Sequence, residues 1–452
     1  MAYEFKDYLG GHMSFDSYPK FGVLSSVNVL MTGTNIAGPY AAEIMAEMGA
    51  KVIQVEAPNM PCQTRGNYGY HQDHRNMYSI TLNTRNPKGK EVLEKLVAWA
   101  DIWIESGRPG TYAKNGLSDE HMWSINPKLA IVHVSGYGQY GPDKDKAAYD
   151  VSGQAMGGYM YMNGVSPTSP PLKVNPYLSD YATALNACIC ALAILTHARA
   201  TGEGDSVDIS QYETMFRLLG SYPLEWFNKG YPAKGEPVKY RTGNVSDMAA
   251  GFSFYDCKDG TIFIGMVGQG NCLRGYPLVG LPTPGDGTDP DFPEGMTGSL
   301  KSLPRGIRIE NAISSYCAAR SVDEVEAELN ALGIPNQKAF APYDIEANEH
   351  YAAREDIITW KDSLYGDVKG IGIMNKFTRN PAKVVASAPL FGEHNREILA
   401  ELGYSDAEID DMYAKGETAH LDARETAIRW NLAPWASSGA KTRLRIWVCD
   451  LV

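Results

Sequence analysis

The chain has 452 residues, more than the roughly 250–300 at which a single hydrophobic core stops growing, so two domains or one domain carrying an insertion are expected. With 44% apolar and 21% charged residues it has the composition of a folded globular protein, not of a disordered one. A net charge of -12 and a pI near 5.3 argue against a nucleic-acid or membrane-surface partner, so any anionic ligand must be met by local basic groups.

Met1-Ala2-Tyr3-Glu4-Phe5-Lys6-Asp7 has no apolar signal core, and the longest apolar stretch, Ala184 to Leu195, is too short to span a bilayer; a cytoplasmic protein is expected. Val27–Met31 reads as a strand, Gly33–Gly38 as a tight turn, Pro39–Gly49 as a helix and Lys51–Glu56 as a second strand, a βαβ opening. Pro39 suits the first turn of that helix and Gly49 its end. A helix at Lys88–Ala100 and strands at Ile102–Glu105 and Ala130–Val134 continue the alternation. After them come a long Ala/Leu/Cys/Ile helix that starts immediately after Asp180 and runs to about Ala200, a strand at Ser206–Ser210 and a helix at Tyr212–Leu219. The pattern predicts an α/β, Rossmann-like large domain whose mostly parallel sheet is covered by helices.

From about Asn228 the texture changes to short strands such as Gly260–Gly265 and a Pro/Gly-rich stretch from Leu281 to Gly306. Residues 1–227 are assigned to the large domain, 228–340 to a small inserted α+β domain and 341–432 to a return to the large domain, with helices at Val322–Leu332 and Arg396–Leu402. Residues 433–452 fit no element and form an atypical tail.

Seven cysteines without a C-x-x-C pair read as buried thiols, and nine histidines without H-x-x-x-H give no support for a metal site. Gly33-Thr34-Asn35-Ile36-Ala37-Gly38 is G-x-x-x-x-G with no lysine after it, neither a P-loop nor G-x-G-x-x-G; a structural turn is the stronger reading, and NAD binding with Glu56 on a ribose the weaker. Asp180, at the entry of the long helix, is a helix cap on one reading. On the other, free N–H groups and the helix dipole keep it ionised as a nucleophile. Arg75, Arg85, Arg108 and Lys114 are the basic residues available for phosphates, Arg108 favoured because Gly107-Arg108-Pro109-Gly110 follows an apolar strand. Gly265, Gly268 and Gly270 form a candidate lid loop, and Tyr159, Tyr161, Trp226 and Tyr240 could cage a ligand or pack a core.

Several of these segments resemble the family III CoA-transferases, the CaiB/BaiF group: Asn35-Ile36-Ala37-Gly38-Pro39, Gly49-Ala50-Lys51-Val52-Ile53, Gly107-Arg108-Pro109-Gly110, Asn126-Pro127-Lys128-Leu129, Ser135-Gly136-Tyr137-Gly138-Gln139 with Gly141, Tyr177-Leu178-Ser179-Asp180, and Leu402-Gly403-Tyr404-Ser405. The similarity runs from about Phe21 to Tyr404. Within the family the chain most resembles bile-acid CoA-transferases, through Arg75-Asn76, Ile131-Val132-His133-Val134-Ser135 and Asp289-Pro290-Asp291-Phe292-Pro293-Glu294-Gly295 among others, with the carnitine/crotonobetaine enzymes next.

The resemblance implies two interlocked chains, an acyl-CoA and a carboxylic acid as substrates, no permanently bound cofactor, and Asp180 as the residue that forms an anhydride and then a CoA thioester. It places CoA contacts on Ala37, Leu82, Arg85, Arg108, Lys114 and Tyr137. The sequence departs from the family where Met77-Tyr78 replaces a basic pair, where Ala57 replaces an arginine, and in a glycine loop sparser than the poly-glycine version. Two rivals remain. An α-methylacyl-CoA racemase would need a base where this chain has Tyr149, and a phenol with a pKa of about 10 is a poor one. A non-catalytic CoA or nucleotide binder would leave Asp180 dispensable.

Overall fold

The computed structural model describes residues 14–230, 232–246, 249–430 and 432. It divides into two compact units: residues up to Gly153, Tyr177–Met215 and those from Ala352 onward make the first, and Gln154–Pro176 with Phe216–Tyr351 make the second. The sequence reading put the edges at 228 and 340 and left 154–176 in the large domain. That stretch carries no periodic pattern of its own and is held within the second unit by Arg241, which donates to the Tyr161 carbonyl at 2.7 Å and the Ser169 carbonyl at 2.6 Å. The tail reading for 433–452 lies outside the described residues.

The first unit is built on six strands: β1 (Asn28–Thr32), β2 (Lys51–Glu56), β3 (Met77–Thr81), β4 (Ile102–Glu105), β5 (Ala130–Ser135) and β6 (Asp205–Ser210). They pair in parallel in the order β3-β2-β1-β4-β5-β6. Strands covered on both faces read as continuous apolar runs, and period-two alternation divides them between two cores. Val29, Met31, Ile104 and Val132 face the helices Ala37–Glu47 and Leu178–Thr201; Leu30, Ile53, Trp103 and Ile131 face the helix Pro87–Trp99. That last helix starts as its sequence demands, with Asn86 accepting from the Gly89 N–H at 2.9 Å and Pro87 in the first turn.

The Leu178–Thr201 helix is longer than the apolar stretch suggested, and at 24 residues with a mean hydropathy of 1.6 it has the length and composition of a membrane span. Ala184, Ala187, Ala191 and Leu195 are nevertheless buried in the core of the parallel sheet, so it serves here as a sheet-covering helix.

In the second unit β7 (Phe252–Asp256), β8 (Thr261–Gly265) and β9 (Asn336–Lys338) form an antiparallel sheet in the order β7-β8-β9, an α+β arrangement with helices Gln269–Leu278, Pro304–Ala318 and Val322–Ala331. Its core joins Tyr255, Ile262, Ile264, Ile309, Ile313 and Leu329. A hairpin of β10 (Ile357–Asp362) and β11 (Gly366–Ile371) belongs to the first unit. Of the six described cysteines, all free, Cys190 and Cys257 are half-buried and the other four buried.

Candidate active site

The long helix begins at Leu178, three residues earlier than expected, because Tyr177 takes the left-handed conformation (φ 37°, ψ 43°) and turns the chain into it. A residue with a β-carbon occupies that region at a cost, and such strain clusters at functional sites. Asp180 therefore sits inside the first turn and caps nothing. The amide groups of Ser179 and Asp180 donate instead to Asp150 Oδ1, at 2.7 and 3.2 Å. With the helix end satisfied by Asp150, the Asp180 carboxylate is left to Gln211, which follows β6 directly and donates from Nε2 to Oδ1 at 2.5 Å. The helix-end N–H groups expected to hold Asp180 ionised thus serve Asp150 instead. Burial, and then the Asp150 charge, raise the pKa of Asp180 to about 7 against the opposing Gln211 bond.

Neighbouring side chains fix this turn. A β-carbon on Gly153 would lie 2.3 Å from Ser179 Oγ and 2.8 Å from Gln211 Cβ, so only glycine lets the three segments meet. On the other side the Tyr181 hydroxyl donates to Asp73 Oδ2 at 3.0 Å, and its ring meets Tyr40 edge-on at 4.8 Å. The hydroxyl oxygens of Ser179 and Thr183, one helical turn apart, are buried without a hydrogen-bond partner.

The residues expected to touch CoA all follow the carboxyl ends of sheet strands, where α/β sheets bind ligands. Ala37 follows β1, Leu82 and Arg85 follow β3, Arg108 and Lys114 follow β4, and Tyr137 follows β5. At ~4.8 Å per strand, β3 to β5 is a span of roughly 20 Å, suited to an elongated ligand. Arg85, Arg108 and Lys114 are exposed, Tyr137 is half-buried, and Ala37 and Leu82 are buried. The order of strands reverses between β1 and β4, where Ser106 fills the turn: a β-carbon on Gly33 or Gly38 would lie 1.9 or 2.8 Å from its Oγ.

Arg75 is corrected: it is 1% exposed, bonded to Glu43 at 3.3 Å and Glu47 at 2.5 Å, and stacked over Trp360, so it is a core ion pair with no phosphate role. Glu56, the acid an NAD site would need, is likewise buried and occupied by the Arg65 guanidinium and the Cys62 N–H. Among the described residues no group of three His, Cys, Asp or Glu side chains could hold a metal.

Residues 24–395 match the sequence model of CoA-transferase family III. The chain belongs to that family. It is 47% identical over 414 residues to the bile acid CoA-transferase BaiK of Clostridium scindens, covering 91% of this chain and 93% of that one. Its fold is that of a CaiB/BaiF family protein from Brucella suis, at 26% identity and a TM-score of 0.70 over 84% of this chain and all of the other. Rv3272 of Mycobacterium tuberculosis, at 21% identity, shares the fold with a TM-score of 0.71 over 83% and 99% of the two chains.

In this CoA-transferase the residues that sequence reasoning missed are Asp150, Gln211 and Gly153. Gln211 carried a usable signal, since it directly follows the carboxyl end of a strand; Asp150 and Gly153 act on Asp180 across about thirty residues, which no local pattern reports. Gly265, Gly268 and Gly270 belong to the second unit, where Gly268 has φ 88° and its N–H donates to the Thr297 carbonyl at 2.7 Å. There too Tyr161 stacks on Trp226 at 5.9 Å, and Tyr240 lines a cavity of about 560 Å³ with Tyr222, Glu225 and Lys239. Tyr159 opens the Tyr159–Met162 helix of the same unit.

Proposed function

We propose that this CoA-transferase moves CoA from an acyl-CoA thioester to a free bile acid through covalent intermediates on Asp180. The observation carrying the reading is the Asp180 carboxylate itself, bonded by Gln211 at a helix end whose amides serve Asp150, with a pKa of about 7. Such a carboxylate is substantially ionised at neutral pH yet more basic than an ordinary one, which favours attack on a carbonyl. The kinship with the bile acid enzyme supports the choice of acid.

Asp180 attacks the thioester carbonyl and expels CoA thiolate, leaving an acyl-aspartyl anhydride. The thiolate attacks the aspartyl carbonyl, releasing the donor acid and forming aspartyl-CoA. The acceptor carboxylate attacks that thioester, a second anhydride forms, and the thiolate takes the acceptor acyl group and frees Asp180. No net proton is consumed and no permanently bound cofactor is needed. Ala37, Leu82, Arg85, Arg108, Lys114 and Tyr137 contact the CoA, and the enzyme works in the cytoplasm as an interlocked homodimer.

The test is intact-mass spectrometry after mixing with an acyl-CoA and trapping with hydroxylamine. An adduct mapped to Asp180, absent in Asp180→Ala, is expected, together with a loss of transfer of ~10³ or more in that variant. A panel of bile acids and carnitine-type acids then identifies the acceptor. Normal transfer by Asp180→Ala, or α-proton exchange into solvent without an adduct, would overturn the reading in favour of a binder or a racemase. The racemase base position is occupied here by Tyr149, which is 71% exposed.

A further inference from the structure

On the sheet face opposite the Leu178–Thr201 helix, His133 of β5 is held through both ring nitrogens. Nδ1 lies 2.7 Å from Glu105 Oε1, and Nε2 lies 3.0 and 3.1 Å from the two Asp119 oxygens. Ionised carboxylates only accept, so both nitrogens must donate and the ring is an imidazolium. Glu105, 3% exposed at the end of β4, uses its second oxygen to accept the Gly107 N–H at 2.8 Å. Asp119 is the first residue of the Asp119–Ile125 helix, whose start is set by Ser118 accepting from the His121 N–H. The two carboxylates thus mark the beginning and the end of the segment 107–118.

That segment is seated on the core at its middle by Leu117 and by Tyr112, edge-on to Trp103 at 4.9 Å, and the carboxylates fix its two ends. It contains Gly107, Gly110 (φ 71°) and Gly116 (φ 75°), the residues with the widest backbone freedom. It carries Arg108 and Lys114, both exposed and neither in an ion pair among the described residues. We infer that His133 is a positioning residue: its imidazolium staples both ends of segment 107–118 and so holds Arg108 and Lys114 in place for the phosphates of CoA. This rests on the reading of those two residues as CoA contacts.

The surroundings keep the staple charged. Burial opposes the imidazolium, but its bonds to Asp119 and Glu105 outweigh that and lift the pKa to about 10. Asp208, its register partner on β6, adds a third carboxylate, and Tyr112 and Tyr140 line the same cleft of about 380 Å³; no lysine or arginine lines it among the described residues. The staple, an imidazolium between two carboxylates, therefore holds across the neutral range.

The test is steady-state kinetics of Arg108→Ala, His133→Gln and their combination, beside wild type. A neutral glutamine cannot donate towards two carboxylates in opposite directions. His133→Gln is expected to raise the KM for acyl-CoA about tenfold with kcat and the KM for the acid within about threefold, and the combined variant to cost less than the product of the single effects. Glu105→Gln, which cannot serve both Gly107 and His133, should give the same KM rise and bring the His133 titration, followed by ¹⁵N-imidazole NMR, down into the assay range; it also covers the case in which His133→Gln does not fold. If Arg108→Ala raises the KM while His133→Gln and Glu105→Gln only lower the Tm, the staple is merely structural and the inference fails alone. If Arg108→Ala and Lys114→Ala leave the KM unchanged, the CoA-contact reading fails and takes the inference with it.

Discussion

Ionisation of Asp180 is opposed by burial and by the Asp150 charge and favoured by one ally, the Gln211 amide. In the proposed mechanism transfer uses the carboxylate, so kcat/KM for acyl-CoA is expected to climb with pH and level off above about 7. The neighbours should move this limb in opposite senses. Asp150→Asn keeps an oxygen for the Ser179 and Asp180 amides while removing the charge, so the limb shifts below 7; Gln211→Leu removes the donor, so it shifts above. A pH–rate profile of each checks the signs, and shifts in the same direction would contradict this account. Stability follows from the same carboxyl group. Its folded pKa of about 7 exceeds its ordinary 3.8, so below the lower value both states are protonated and nothing is lost. Between the two values the folded state is progressively penalised, and above 7 the penalty is complete. Asp180→Asn should therefore be more stable than wild type at pH 8, by up to about 4 kcal/mol, and close to it at pH 3.5, measured by urea unfolding.

Turns between elements bring Asp150, Asp180 and Gln211 together, and Gly153 is the tightest point of that meeting. Gly153→Ala forces a methyl group to 2.8 Å from Gln211 Cβ. The expected outcome is a loss of about 1–3 kcal/mol in stability and, as Gln211 is pushed off Asp180, a pH limb displaced upward as in Gln211→Leu. Wild-type kinetics with a lower Tm would mean that Gln211 adapts. The same elements explain what could be read from the sequence. β1, β2, β4 and β5 were legible because both their faces are buried, so apolar residues run together in them, interrupted only by Gln54 in β2 and His133 in β5. The entry to the Leu178–Thr201 helix was not: its amides are satisfied by Asp150, some thirty residues away, so no local cap marks the start. The β10–β11 hairpin was missed because β11, Gly366–Ile371, carries two glycines and two charged residues among six, a composition that reads as turn. Asp180 itself became legible through resemblance, since an aspartate at a helix entry is by residue type an ordinary cap.

At the scale of the whole molecule the proposed interlocked dimer must overcome repulsion between two chains of charge -12 each, so apolar burial has to supply the association. The Leu178–Thr201 helix offers such a surface on its sheet-distal side, where Leu185 is 41% and Ile189 66% exposed, one turn apart. A second copy covering them fits a helix whose composition is apolar nearly all round. Interlocking has a consequence that simple face-to-face association lacks: linked rings separate only if one ring opens, so dissociation requires unfolding. A dimer of twice the 49.5 kDa chain mass is expected to persist on dilution to nanomolar concentration, and Leu185→Asp should lower its stability without yielding folded monomer. Mixing isotopically labelled and unlabelled dimers tests this directly by native mass spectrometry. Hybrid dimers should be absent after days in native buffer and should reach the statistical proportion once the mixture has been unfolded in urea and refolded. Hybrids forming within minutes in native buffer would mean that the chains meet only face to face, and the stability of each protomer would then be its own.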